Sequence, residues 1–217
     1  MSDTFQRLTR HDLACRVARD IPDGSYVNLG IGAPTEVADC LPEGVTIILH
    51  TENGLLGMGP KPEPGKEDID LMNAGKQYVT ALPGAAFFHH ADSFAMMRGG
   101  HLDYCVLGAY QVSTRGDLAN WSTGSKTAIP GVGGAMDLAI GAKSVFVMMD
   151  LFTKKGGCKL VESCTMPLTG IACVKRIYTD CATFDIMPEG IVASDLAPGL
   201  THAALEGLCG LTFRHPV

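Results

Sequence analysis

The sequence predicts an α/β fold, an open and mostly parallel sheet covered by helices on both faces. Three strand-length apolar runs, Thr46-Ile47-Ile48-Leu49, Leu102-Asp103-Tyr104-Cys105-Val106-Leu107 and Ser144-Val145-Phe146-Val147-Met148-Met149, are nearly continuous rather than alternating. That is the pattern of strands buried on two sides. Segments of helical character lie between such runs, which favours crossover connections and parallel pairing. A glycine turn entering a helix occurs twice, at Gly30-Ile31-Gly32 and at Gly131-Val132-Gly133-Gly134.

Taken in order, Thr9-Arg10-His11-Asp12 followed by Leu13, Ala14, Val17 and Ala18 reads as a capped amphipathic helix that Pro22-Asp23-Gly24 ends. Ser25 to Leu29 is a short strand, and Pro34 is placed to start a helix through Val37, Ala38 and Leu41. Pro42-Glu43-Gly44 closes that unit, and the run from Thr46 enters Thr51-Glu52-Asn53-Gly54, where glycines at 54, 57 and 59 and Pro60 interrupt regular structure. Lys61 to Asp70 is rich in proline and charge and reads as an exposed loop able to serve as a lid. Val79 to Leu82 is a strand candidate ended by Pro83-Gly84, and Ser93 to Arg98 a short helix, capped by Asp92-Ser93 and stopped by Gly99-Gly100. Asn120-Trp121 and the Ser/Thr/Gly run after it form a loop. The strand over 144–149 follows the second glycine turn, then further strands around Lys159-Leu160-Val161, Ile177-Tyr178 and Ala182 to Ile186, and a helix from His202 to Leu208.

With 217 residues the chain reads as one domain over 1–217, with about 193–217 a C-terminal tail to which no role is assigned. Hydrophobic residues make up 46% and charged residues 18%, so much of the chain is expected to be buried, some of it against another subunit. A net charge of −6 without Lys/Arg clusters argues against nucleic acid or an anionic membrane as partner and favours a small molecule. No stretch reads as a signal peptide or membrane span, so a cytoplasmic location is expected. Eight cysteines include no C-x-x-C pair and are expected to be reduced core thiols.

Gly30-x-Gly32 lacks the third glycine of a dinucleotide fingerprint, since Thr35 stands there, and Gly141-Ala142-Lys143-Ser144 is not a phosphate-cradling P-loop. The plainer reading of Gly30 and Gly32 is a tight turn. Gly131, Gly133 and Gly134 are more informative, because backbone amides at a helix entrance can face an anion; the alternative is a flexible turn. His89, His90 and His101 read as structural or surface residues, and no metal is expected.

Glu52 is the candidate catalytic residue. A carboxylate after a strand is often only a cap or salt-bridge partner, but Asn53 and Gly54 permit a sharp turn that would present Glu52 outward. It stands at the end of a strand, where open α/β sheets hold ligands. A carboxylate is ionised at neutral pH and can attack an activated acyl group without a general base. Attack on a thioester gives an anhydride and conserves the energy needed for transfer. Carboxylates are weak nucleophiles, so the site must exclude water and supply oxyanion donors worth about 3 kcal/mol; the amides of Gly133 and Gly134 are candidates.

Thr51-Glu52-Asn53-Gly54-Leu55-Leu56-Gly57-Met58-Gly59-Pro60 resembles the (S/T)-E-N-G signature of the B (beta) subunit of family I 3-oxoacid CoA-transferases. Asn28 to Thr35, Leu82-Pro83-Gly84-Ala85, Met97 to Asp103, Leu118 to Trp121, Gly131 to Leu138 and Cys164 to Thr169 resemble it too, over roughly residues 10–190. Ala74-Gly75-Lys76, Phe88 to Met97 and Trp121-Ser122-Thr123-Gly124 look most like members acting on 3-oxoadipate in bacterial aromatic degradation, the β-ketoadipate pathway; acetoacetate and short-chain relatives are the alternative. The resemblance implies the CoA-transferase family I fold, and ping-pong transfer from succinyl-CoA to a 3-oxoacid through a glutamyl-CoA thioester on Glu52. Gly131, Gly133 and Gly134 would form the CoA and oxyanion region. It also implies no permanent cofactor, CoA and succinyl-CoA being substrates, and a hetero-oligomer with a separate A (alpha) subunit. Competing readings are an effector-binding α/β module, which would not need Glu52, and a thioester hydrolase, which would release CoA without an acceptor.

Overall fold

The computed structural model describes residues 5–124 and 131–216. Its centre is a nine-stranded sheet. The strands in chain order are β1 (Tyr26–Leu29), β2 (Ile48–Thr51), β3 (Leu55–Met58), β4 (Ala81–Phe87), β5 (Tyr104–Leu107), β6 (Gln111–Ser113), β7 (Leu118–Ala119), β8 (Ser144–Met149), β9 (Leu160–Val161), β10 (Val174–Thr179), β11 (Thr183–Met187) and β12 (Gly190–Ser194). The α-helices are α1 (Arg10–Arg19), α2 (His90–Arg98), α3 (Ala135–Gly141) and α4 (His202–Cys209).

The spatial order is β12-β11-β10-β8-β5-β1-β2-β3-β4. The five central strands, β10 to β2 in that order, pair in parallel, with Val27 opposite Leu49 and Leu29 opposite Val106, and antiparallel strands finish both margins. The apolar runs explain this centre. In β8, Val145, Val147 and Met149 enter one core and Phe146 and Met148 the other, so a run buried on both faces must be apolar throughout. One core packs under α1; the other includes Met97 of α2, Leu138 of α3 and Leu205 of α4. A small sheet, β7-β6-β9, lies apart.

α1 carries the capping box: the Thr9 hydroxyl accepts from Asp12 N at 3.1 Å, and the Asp12 carboxylate accepts from Thr9 N at 2.8 Å. Several local expectations are corrected. The helix after Pro34 is a 3₁₀ helix, Ala33–Cys40. Its inward residues Pro34, Val37 and Cys40 recur every three positions, which suits a three-residue turn. The strand expected to stop at Pro83-Gly84 instead runs through them as β4, because an edge strand tolerates a missing amide. α2 is capped by the His89 imidazole, whose Nδ1 accepts from Ala91 N at 3.1 Å, rather than by Asp92 or Ser93.

The C-terminal segment is part of the core. Ala193, Ala197, Leu200, Leu205 and Phe213 are buried, and the Phe213 ring packs tilted against Phe184 with centroids 5.1 Å apart. All eight cysteines are free thiols, but only Cys105 and Cys181 are fully buried; the other six are half-buried. No helix among the described residues is long and apolar enough to cross a membrane.

Candidate active site

Chain order reverses direction across the sheet at β1, which has β2 on one side and β5 on the other. Such switch points open a crevice at the carboxyl ends of strands. Here it is a cleft of about 1060 Å³, lined by Gly30 after β1, Glu52 after β2 and Gly108 after β5. Gly131, Gly133 and Gly134 line it as well, so the structure brings Glu52 and the three glycines proposed for the CoA and oxyanion region to one cleft. The preceding residues 125–130, part of the Ser/Thr/Gly loop, lie outside the described residues.

Glu52 heads the three-residue turn between β2 and β3. Gly54 N donates to Thr51 O at 3.0 Å, and Gly54 takes φ +115°. Neither Glu52 nor Asn53 has positive φ, so the glycine absorbs the strain of the hairpin. A side chain at 54 would also overlap the Phe88 carbonyl oxygen. Among the described residues, no hydrogen bond or ion pair engages the Glu52 carboxylate. It is half-buried and faces the cleft.

Gly134, the residue before α3, stands directly against that carboxylate. A Cβ on Gly134 would overlap Glu52 Oε2 and come within 3.4 Å of the Phe94 ring. The glycine is therefore needed for space: its φ of −83° suits any residue. Glu52 and Gly134, from the β2–β3 turn and the entrance to α3, form one wall of the cleft, with Phe94 of α2 packed near Gly134.

Behind Glu52 lies a buried polar network that sequence reasoning missed. The Asn28 amide nitrogen donates to His50 O and to His50 Nδ1, both at 3.1 Å, and His50 Nε2 lies 2.8 Å from Ser93 Oγ. With Nδ1 accepting, the ring is neutral and carries its proton on Nε2, toward Ser93. The network joins β1, β2 and α2, and the Phe88 ring stacks on His50 at 6.3 Å. Burial pushes the His50 imidazole down to about 4. Because the folded value lies below the unfolded value of about 6.5, the neutral form stabilises the fold fully above pH 6.5, and that contribution is lost as pH falls toward 4. The expected loss is about 3 kcal/mol. Urea unfolding of His50→Gln across this range should show a flatter acid limb than the parent chain; parallel limbs would remove His50 as its cause.

Of the charged stretch 61–70, Lys61 lines the cleft, and the rest of the lip is a short hairpin after that stretch. Met72 bridges Tyr78, Lys76 N donates to Asn73 O at 2.9 Å, and Lys76 sits at φ +62°. Two bonds pin this hairpin to the Glu52 turn: Ala74 N to Thr51 Oγ1 at 3.0 Å and Asn53 Nδ2 to Met72 O at 2.8 Å. Thr51 needs its hydroxyl here, which explains Ser or Thr before the glutamate. The charged residues of the cleft lining are Asp39, Glu52, Lys61 and Lys76, two carboxylates and two cations. The opposite wall holds Asn120 and Trp121, braced from 168–169: Thr169 Oγ1 donates to Asn120 Oδ1 at 2.6 Å and Trp121 Nε1 to Leu168 O at 3.1 Å.

Comparison with known proteins agrees with this geometry. Residues 10–203 match the family model described as Coenzyme A transferase. The chain is 62% identical over 206 residues to the B subunit of 3-oxoadipate CoA-transferase from Pseudomonas putida, covering 95% of this chain and 96% of that one. It is 47% identical over 192 residues to the B subunit of succinyl-CoA:3-ketoacid coenzyme A transferase from Helicobacter pylori, covering 88% and 92%. The crystal structure of the acyl-CoA transferase YdiF apoenzyme from Escherichia coli O157:H7 shares the fold with a TM-score of 0.72 at 19% identity, over 96% of this chain and 42% of that one. A glutamate against a glycine turn at the switch point of the sheet, within a family match that spans most of the sequence, places this chain in the coenzyme A transferase family.

Proposed function

We propose that this chain is the glutamate-bearing subunit of an enzyme that moves CoA from succinyl-CoA to a 3-oxoacid, with 3-oxoadipate as the acceptor. The observation that carries the chemistry is the Glu52 carboxylate, free of partners among the described residues, seated against Gly134 in the cleft. The acceptor follows from the 62% identity to the 3-oxoadipate relative.

Glu52 attacks the succinyl carbonyl, and the C–S bond breaks to give CoA thiolate and a mixed anhydride. The thiolate attacks the Glu52 carbonyl, succinate leaves, and a glutamyl-CoA thioester remains. The carboxylate of 3-oxoadipate attacks that thioester, CoA thiolate departs, and its attack on the oxoadipyl carbonyl gives 3-oxoadipyl-CoA and regenerates Glu52. Each step exchanges one anion for another, so no general base is required. The amides of Gly133 and Gly134 stabilise the oxyanions, with Gly131 lining the CoA path. A second, A-type subunit completes the assembly; the exposed β4 edge, with Phe87 65% exposed, supports a partner there.

The test is mass spectrometry after succinyl-CoA and borohydride are added to the chain co-expressed with its partner subunit. The Glu52 peptide should lose the mass that separates a carboxylate from an alcohol; an unmodified peptide in a complex that binds succinyl-CoA would sink the mechanism. Lys76 supplies a check on the acceptor. Lys76→Gly relieves a left-handed conformation that costs a side chain about 1 kcal/mol, so folding stability should hold or rise. The KM for 3-oxoadipate should rise about 10-fold, about 1.4 kcal/mol, while that for acetoacetate, which lacks the distal carboxylate, should not change. Equal changes for both acceptors would remove Lys76 from acceptor binding.

A further inference from the structure

Away from the cleft, three metal-ligating side chains from two elements converge. The Thr9 cap sets the start of α1, so His11 and Cys15 stand four residues apart on one side of the helix. The three-residue period of the 3₁₀ helix turns Cys40 toward the same place. Cys15 Sγ lies 3.6 Å from His11 Nε2, and Cys40 Sγ lies 3.5 Å from His11 Nδ1. One ligand atom from each residue lies within 4.8 Å of the others. Tetrahedral zinc with Zn–S of about 2.3 Å and Zn–N of about 2.0 Å places ligand atoms about 3.5 to 3.8 Å apart. The two sulfurs meet different ring nitrogens, so holding one ion requires the exposed imidazole to turn until a single nitrogen faces both.

We propose that His11, Cys15 and Cys40 form a binding site for a borderline-soft divalent cation, Zn²⁺ by the chemistry of the donors, which staples the 3₁₀ helix to α1. Two thiols and one imidazole are a soft donor set that hard cations such as Mg²⁺ do not favour. The fourth position faces solvent and takes a water. Binding exchanges one Zn²⁺ for two thiol protons, and both sulfurs become thiolates. The Asp39 and Glu36 carboxylates near Cys40 favour a cation at the site. The staple also reaches the cleft, because Thr35, Ala38 and Asp39 of the same 3₁₀ helix line it.

The full chain, co-expressed with its partner subunit and reduced, is titrated with Co²⁺ and then Zn²⁺. Expected are one Co²⁺ per chain with thiolate-to-cobalt charge-transfer absorption, about two protons released per ion, and displacement of Co²⁺ by Zn²⁺. Cys15→Ser and Cys40→Ser should each weaken binding by more than the roughly 100-fold that loss of an outer-shell partner costs. Cys158→Ser, remote from the cluster, should bind like the parent. His11 is exposed, so His11→Ala tests the site even where a cysteine variant folds poorly, and it should weaken binding while keeping the charge-transfer band. Absence of the band in the reduced parent, binding unaltered by Cys15→Ser, Cys40→Ser and His11→Ala, or reduced thiols that yield only a Cys15–Cys40 disulfide would each overturn the proposal.

Discussion

Glu52→Gln is expected to abolish transfer while leaving the chain folded. The substitution keeps the volume of the side chain and removes the nucleophile, so no anhydride or thioester can form. The loss in kcat should be roughly 10⁴-fold or more, about 5 kcal/mol of barrier at about 1.36 kcal/mol per decade. Stability should move by less than about 0.5 kcal/mol, because no hydrogen bond or ion pair among the described residues depends on this carboxylate. Steady-state transfer by the co-expressed complex, with urea unfolding of the same sample, checks both halves. Transfer at near-parental rate would strip Glu52 of its role, and hydrolysis of succinyl-CoA surviving without transfer would point to a different nucleophile.

Gly134→Ala should produce the second largest effect, and for a different reason. The backbone there is compatible with alanine, so the cost to folding is about 1 kcal/mol or less. The added methyl group claims the space of Glu52 Oε2, with the Phe94 ring behind it. The carboxylate must swing away, and a displacement of about 1 Å from the reacting position costs on the order of 10²-fold in rate. Formation of the borohydride-trapped adduct on Glu52 should slow by that factor, while KM for succinyl-CoA changes little. An unchanged rate of adduct formation would mean that the carboxylate reacts from another orientation, away from the glycine turn.

The sequence by itself determined the layers of the fold and singled out the proposed nucleophile, because those signals are local. A run such as Ser144 to Met149 specifies a doubly buried strand wherever the chain takes it, and Thr9 with Asp12 caps a helix using four residues. Glu52 was legible because its turn is made by neighbours two residues away. Tertiary structure decided everything that depends on contacts across the sheet. His50, Asn28 and Ser93 look like unrelated polar residues until β1, β2 and α2 lie side by side. Gly134 reads as part of an anion-facing turn or a flexible one, and its need to be glycine shows only when Glu52, 82 positions earlier, fills the space its side chain would need. The Pro83-Gly84 pair ends a strand by local rules, yet β4 continues because at a sheet margin its outward amides have no partner to lose. His11 and Cys15 share a helical spacing, but Cys40 joins them only after a 3₁₀ turn and an α turn have packed together. Local propensity is carried by adjacent residues, whereas shared space and paired polar groups exist only once distant segments are brought together.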